Sequence, residues 1–173
     1  MIMKRFMLLA VTLCISVAAM GQQRGESRLY WTVASKASVV LSQNVDKQFT
    51  MGENEIALGY NFNDKLSVYV PFSAGMALYP KYKTYSEFSF LGLGGRFNLC
   101  QKGLERYSVV TSVQKSLGKN DWGGAMAYEL SLVQEYGNLY LSAGVKYFDA
   151  AYTHVQDRWC LAASVGLRFG VGK

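Results

Sequence analysis

Beyond residue 21 the chain lacks any apolar run of the about 18 residues that a helical membrane span needs. It is also poor in proline, with 2 residues, and in histidine, with His154 alone. Cysteine is confined to Cys14, Cys100 and Cys160. Each scarcity closes a class of function. An enzyme working at a membrane rim needs a base, an orienting acid and a nucleophile, and His154 is followed by Val155 and Gln156 with no His-x-Ser arrangement, so no enzyme is expected. One histidine and two distant cysteines do not make a metal site, and no cofactor is expected. The glycines Gly92, Gly94 and Gly95 are followed by no helix, so a strand bend is the better account than a phosphate cradle.

The first 21 residues have the parts of a secretory leader. Lys4 and Arg5 are basic, residues 6–19 are apolar, and Ala19-Met20-Gly21 forms a small-x-small cleavage site. A transmembrane helix is the competing reading, but the apolar run is short and the cleavage site follows it directly. The expected organisation is a signal peptide over residues 1–21 and one domain over 22–173. Lipidation at Cys14 is not expected, because Val11-Thr12-Leu13 lacks the usual small residue before the cysteine. Removing Lys4 and Arg5 from the 18 Lys and Arg leaves 16 against 12 Asp and Glu, or +4, scattered along the chain. Such an excess favours contact with acidic headgroups and lipopolysaccharide phosphates, but the charges form no run, and nucleic-acid binding has little support.

Aromatics and glycine are plentiful: 12 Tyr, 9 Phe, 3 Trp and 17 Gly. The apolar residues that remain alternate with polar ones, the period of a β-strand. The clearest stretch is residues 159–171. Trp159, Leu161, Ala163, Val165, Leu167, Phe169 and Val171 form an apolar row against Cys160, Ala162, Ser164, Gly166, Arg168 and Gly170. A bulky apolar row backed by a small, partly charged one is the pattern of a strand with lipid on one side. Seven more strands precede it, over residues 29–41, 55–62, 66–78, 85–99, 107–117, 124–136 and 139–147. Pro71 cannot donate to a ladder and predicts a bulge or irregular pairing in the third. The fourth has Phe88 and Phe90 in one row but Leu91, Leu93, Phe97 and Leu99 in the other, which predicts a bulge near residues 92–95. In lipid only helices and closed sheets satisfy every backbone N–H and C=O. The expected fold is therefore all-β: an eight-stranded antiparallel up-and-down transmembrane β-barrel.

Connections over residues 63–65, 100–106 and 136–138 are generally shorter than those over 43–54, 79–84, 118–123 and 149–157. Short periplasmic turns alternating with long outer loops put both termini in the periplasm. Cys100 then lies at one end and Cys160 at the other, too far apart for the roughly 7 Å limit of a disulfide. Two aromatic belts are expected, with Tyr79, Tyr82, Tyr85, Trp122, Tyr147, Tyr152 and Trp159 outside. Trp31, Tyr60, Phe62, Phe97, Tyr107, Tyr136 and Phe169 form the inner one.

With its leader end, alternating strands and Gly166-Leu167-Arg168-Phe169-Gly170 closing strand, the chain resembles the small eight-stranded outer-membrane proteins of the OmpA-domain and OmpX type, in the form common in Bacteroidota, over most of residues 28–171. The resemblance implies a cell outer membrane of a Gram-negative envelope, delivery by the barrel-assembly machinery, and contact with outer-membrane lipid and lipopolysaccharide. Such proteins often finish on a terminal aromatic, whereas Phe169 is followed by Gly170-Val171-Gly172-Lys173.

Candidate functional residues are the charges predicted to point inward: Lys36, Glu55, Arg96, Glu129, Glu135, Lys146 and Arg168. They read either as a self-paired structural plug or as a narrow ion path or gate. Glu129 with Lys146, on neighbouring strands, is the best candidate pair, with Arg168 reaching in from the last strand. Tyr82, Trp122 and Tyr152 are candidate loop contacts for a sugar or a surface protein, and no particular partner is indicated. The leading expectation is a non-enzymatic outer-membrane barrel with a structural or surface-interaction role. A small low-conductance, porin-like pore is one alternative. The other is a soluble periplasmic lipocalin-like barrel, which would require the bulky apolar row to turn inward.

Overall fold

The computed structural model describes residues 28–41, 50–79, 84–118, 122–149 and 158–171. The leader, His154, Tyr82 and Tyr152 lie outside the described residues. Eight strands follow one another: β1 (Leu29–Val40), β2 (Thr50–Asn61), β3 (Leu66–Tyr79), β4 (Thr84–Lys102), β5 (Glu105–Ser116), β6 (Met126–Tyr136), β7 (Leu139–Asp149) and β8 (Arg158–Val171). Each pairs antiparallel with its sequence neighbours, and β8 returns to β1 to close the barrel. The closing seam runs in unbroken register from Leu29 opposite Val171 to Val40 opposite Cys160. Closure leaves no strand edge, so every strand has a partner on both sides.

Side chains alternate out and in along every strand. Outward, Ile56, Leu58, Leu93, Leu130, Leu132 and Leu161 are each more than half exposed. Inward stand Thr32, Lys36, Glu55, Ser73, Arg96, Gln114, Glu129, Glu135 and Lys146. The barrel is thus apolar outside and polar within, the reverse of a soluble protein. A lipocalin-like ligand barrel needs the opposite assignment, and the structure excludes that alternative. At the β4–β5 and β6–β7 connections the chain reverses within two residues, and Gly103 and Gly137 both take φ of 60°, the left-handed conformation that glycine adopts without steric cost.

Three differences from the sequence expectation concern the register. Strand β2 begins at Thr50, so Met51 and Glu53 are inward strand residues where a loop was expected. Pro71 makes no bulge: the register against β4 is the same at Tyr69–Gly94 and Phe72–Leu91, and only the intervening pairs are missing. Nor is there a bulge near Gly92, because Phe88 and Phe90 are inside the lumen, 3% and 0% exposed, and even-numbered residues face inward from Ser86 to Arg96. The register shift in β4 falls at Asn98/Cys100, beside the short turn.

Inward glycines make room for inward rings. Tyr30 lies opposite Gly59, Tyr69 opposite Gly94 and Tyr140 opposite Gly166. A Cβ at any of these glycines would collide with the facing tyrosine ring. The rings thereby fold flat against the next strand, and the lumen keeps space for the charged side chains. Gly94→Val should therefore lower unfolding stability by about 1–3 kcal/mol through overpacking. Gly52→Ala, whose added Cβ meets nothing within 4 Å, should leave it unchanged. The urea midpoint followed by tryptophan fluorescence tests both, and equal midpoints would contradict the ring packing.

Candidate functional site: the filled lumen

Taken from the short-turn end upward, the lumen is occupied in tiers. Glu135 on β6 is the lowest carboxylate, and guanidinium groups from three strands converge on it. Arg96 Nη1 donates to Glu135 Oε1. Arg168 Nη1 bridges the two carboxylate oxygens at 3.2 and 3.3 Å, and Arg106 Nη1 stands 4.0 Å away. Arg168 also donates to Asn61 Oδ1 at 2.9 Å and lies 3.9 Å over the Tyr30 ring, which holds its plane.

In the middle tier Lys36 Nζ is shared between Glu55 Oε2 at 2.8 Å and Glu129 Oε2 at 2.9 Å. Ser131 donates to the other oxygen of Glu129 at 3.0 Å, and Ser73 donates to Gln114 at 3.1 Å. The third tier is Lys146 Nζ on Glu53 Oε1 at 2.6 Å, both side chains 1% exposed. Above Lys146 an aromatic cap seals the long-loop end. Phe148 and Phe90 lie 5.1 and 5.9 Å from the ammonium. Trp122 closes over Phe148, Phe88 and Phe90 at ring-centroid distances of 5.3, 5.5 and 6.1 Å.

All seven charges predicted to face inward do so. Their pairing differs from the expectation. Glu129 and Lys146 are directly opposite in the β6–β7 register, yet their ion pairs are Glu129 with Lys36 and Lys146 with Glu53. In a barrel this narrow, long side chains reach strands across the lumen, so the partner need not come from the neighbouring strand. Arg168 belongs to the lower tier with Arg96 and Glu135, not beside Lys146. Glu53 and Arg106 were missed because both were assigned to connections. The alternation Met51, Glu53, Glu55 was the available signal for Glu53.

Trp122 is not a loop contact. It is 0% exposed and packed inside the barrel mouth with Val40, Met51, Ala77 and Cys160. Tyr79, expected in the outer belt, also faces inward and packs against this cluster. An indole held over three buried phenyl rings loses more water-exposed apolar area than one left in a loop, which is why Trp122 turns inward. Cys100 is exposed by the short turn, Cys160 is buried at the other end, and both thiols are free.

An interior cavity of about 20 Å³ remains among Lys36, Glu55, Arg96, Glu129 and the three lumen tyrosines. It is room for about one water and not for a ligand. Among the described residues no three His, Cys, Asp or Glu side chains are placed to hold a metal ion. The tiers carry both signs at each level, whereas a charge-selective filter presents a ring of one sign. What this arrangement does chemically is hold the barrel together from within.

The outer surface carries two aromatic rows. Tyr128, Tyr147 and Trp159 stack across β6, β7 and β8 with centroids 6.3 and 5.0 Å apart toward the long loops. Trp31 with Phe169 at 4.6 Å, and Tyr60 with Phe62 at 5.3 Å, mark the short-turn end.

Among solved structures, the crystal structure of Neisserial surface protein A, NspA, matches with a TM-score of 0.57 and 17% identity, covering 84% of this chain and 98% of that one. The fold is that of the small eight-stranded outer-membrane barrels. The outer membrane protein Ail of Yersinia pestis, solved in a phospholipid bilayer nanodisc, is also similar, at 12% identity and a TM-score of 0.44 over 81% of this chain and 99% of that one. No known family profile matches the chain, and no curated protein does.

The tiers make a specific energetic claim. Lys146→Met leaves Glu53 buried and unpaired, and should destabilise the barrel by about 3–5 kcal/mol. The double replacement Glu53→Gln with Lys146→Met should recover most of that loss, since a buried pair exchanged for neutral groups is often near neutral. A double-mutant cycle on urea midpoints measures the coupling, and strictly additive losses would show the pair to be absent.

Proposed function

We propose that this protein is a non-enzymatic outer-membrane β-barrel whose closed lumen suits it to a structural or surface-contact role in the envelope. The observation that carries the reading is the inversion of polarity. Leucines such as Leu93 and Leu132 stand 63% and 64% exposed outside, while paired charges fill the inside. Soluble monomers rarely expose large contiguous apolar surface, and lipid is the solvent in which such a wall is stable. Two aromatic rows at two heights support the same reading, since Tyr and Trp favour the membrane–water interfaces.

Under this reading the short turns and both termini face the periplasm, the long loops face outward, and residues 1–21 are removed on export. Outer-membrane lipid and lipopolysaccharide surround the wall, and the barrel-assembly machinery inserts it. No solvent path wide enough for ion flow is expected through three charge tiers and an aromatic cap.

Two measurements test this. After cell fractionation the protein should be recovered with outer membranes, and its migration on gels should shift when the sample is boiled. Recovery in the soluble periplasmic fraction without detergent would overturn the membrane reading. In planar bilayers the purified protein should give no unitary conductance steps. Reproducible steps that change in size with Lys146→Met would instead establish the small pore.

A further inference from the structure

Charge is spread unevenly along the lumen. In the middle and upper tiers Lys36 and Lys146 stand with three carboxylates, Glu53, Glu55 and Glu129. At the short-turn end three guanidinium groups, those of Arg96, Arg106 and Arg168, share Glu135 alone. The next carboxylates up, Glu55 and Glu129, are bonded to Lys36 and to no arginine, so they do not make up the difference.

One carboxylate cannot satisfy three guanidinium forks with five donors each. Arg168 takes the largest share, with Nη1 on both Glu135 oxygens and Nη2 on Asn61. Arg96 holds Glu135 through Nη1, but its Nε has no acceptor although the residue is only 5% exposed. Arg106 lies opposite Glu135 in the β5–β6 register, yet its Nη1 stands 4.0 Å from the carboxylate, beyond hydrogen-bond reach. Its Nε and Nη2 both fall on a single atom, Gln101 Oε1, at 3.2 and 2.8 Å. Arg106 Nη1 therefore keeps its hydrogens without an acceptor among the described residues. Water reaches this tier, since the Arg106 and Arg168 side chains are 20% and 10% exposed. The rim below adds Arg28, Lys65 and Lys102 against Asp64 and Glu105, and Glu105 lies opposite Tyr136 in the outward row.

We propose that the short-turn opening of the lumen binds a phosphate group, held by Arg106 and Arg168. Guanidinium forks match the spacing of phosphate oxygens and bind them in pairs. Glu135 neutralises one of the three inward cations, and the two that remain suit a doubly charged phosphate. Arg96 is too deeply buried to touch such a ligand and contributes its charge from behind, where partial burial weakens screening. The opening lies inside the closed ring of strands, and the barrel wall separates it from the acyl chains. The source of the phosphate is therefore aqueous, inorganic phosphate or a phosphomonoester, and not a lipid headgroup.

The test uses the full chain refolded in micelles of an uncharged, phosphate-free detergent. It is titrated with inorganic phosphate at constant ionic strength, and with chloride for comparison. Saturable heat and a broadened phosphorus resonance are expected with phosphate, and no saturable heat with chloride. Arg106→Gln should raise the dissociation constant about tenfold, the loss of a charge-assisted hydrogen bond, with heat-dependent gel migration unchanged. Should that variant fail to fold, Arg106→Lys must weaken binding, because it keeps the charge and loses the fork. Lys115→Gln, on the outer wall, should leave the constant as it is. Phosphate and chloride acting alike, or an unchanged constant in a folded Arg106 variant, would overturn the site. A response to phosphatidylglycerol vesicles with none to inorganic phosphate would overturn the aqueous source and assign the contact to a headgroup. Recovery of the protein outside the outer membrane would sink the membrane reading and leave this site standing, because binding is measured on the purified chain.

Discussion

Closure of β8 onto β1 is the constraint on which the rest of the structure depends. With twelve residue pairs in register from Leu29–Val171 to Val40–Cys160, the sheet has no edge and its lumen has a fixed, narrow width. Each residue is then committed by parity to one of two environments. An outward row must be apolar over most of its length. An inward row must fill a space that is about wide enough for side chains alone, and the polar atoms placed there must satisfy one another.

The lumen is filled in two ways. Toward the short turns, one carboxylate, Glu135, takes three guanidinium groups. Higher up, Lys36 joins two carboxylates and Lys146 takes a third. Near the long loops the filling turns apolar, and Trp122 with three phenylalanines packs in the mouth. Lys146 lies where the two regimes meet, its ammonium bonded to Glu53 and roofed by phenyl rings. The pairs Lys36–Glu129, Lys146–Glu53, Arg96–Glu135 and Arg168–Glu135 join strands that are not neighbours, so these ion pairs brace the barrel across its lumen while the backbone ladder holds its circumference. Removing one partner of such a brace is costly because the remaining charge stays out of water.

Strand number, antiparallel order, orientation of the rows and the inward placement of all seven candidate charges were legible from alternation alone. Alternation failed where the inside is not polar. Phe88 and Phe90 looked like lipid-facing residues out of phase, because the apolar cap could not be told from an apolar wall by hydrophobicity. Trp122 looked like a loop aromatic for the same reason. Glu53 was lost behind Gly52 and Asn54, two turn-forming residues that here sit in a regular strand. Pro71 was expected to disturb the register, yet the ladder tolerates the missing donor and resumes in step at Phe72–Leu91.

The sequence by itself determined the class of architecture and which face of each strand meets lipid-like or polar surroundings. It could do so because a period of two is a local property, written within each strand. Which charge pairs with which, and where the lumen is sealed, were decided only by the tertiary structure. Those properties depend on register between strands and on reach across the lumen. Lys36 and Glu129 are 93 residues apart in sequence, and only the closed barrel brings them to 2.9 Å.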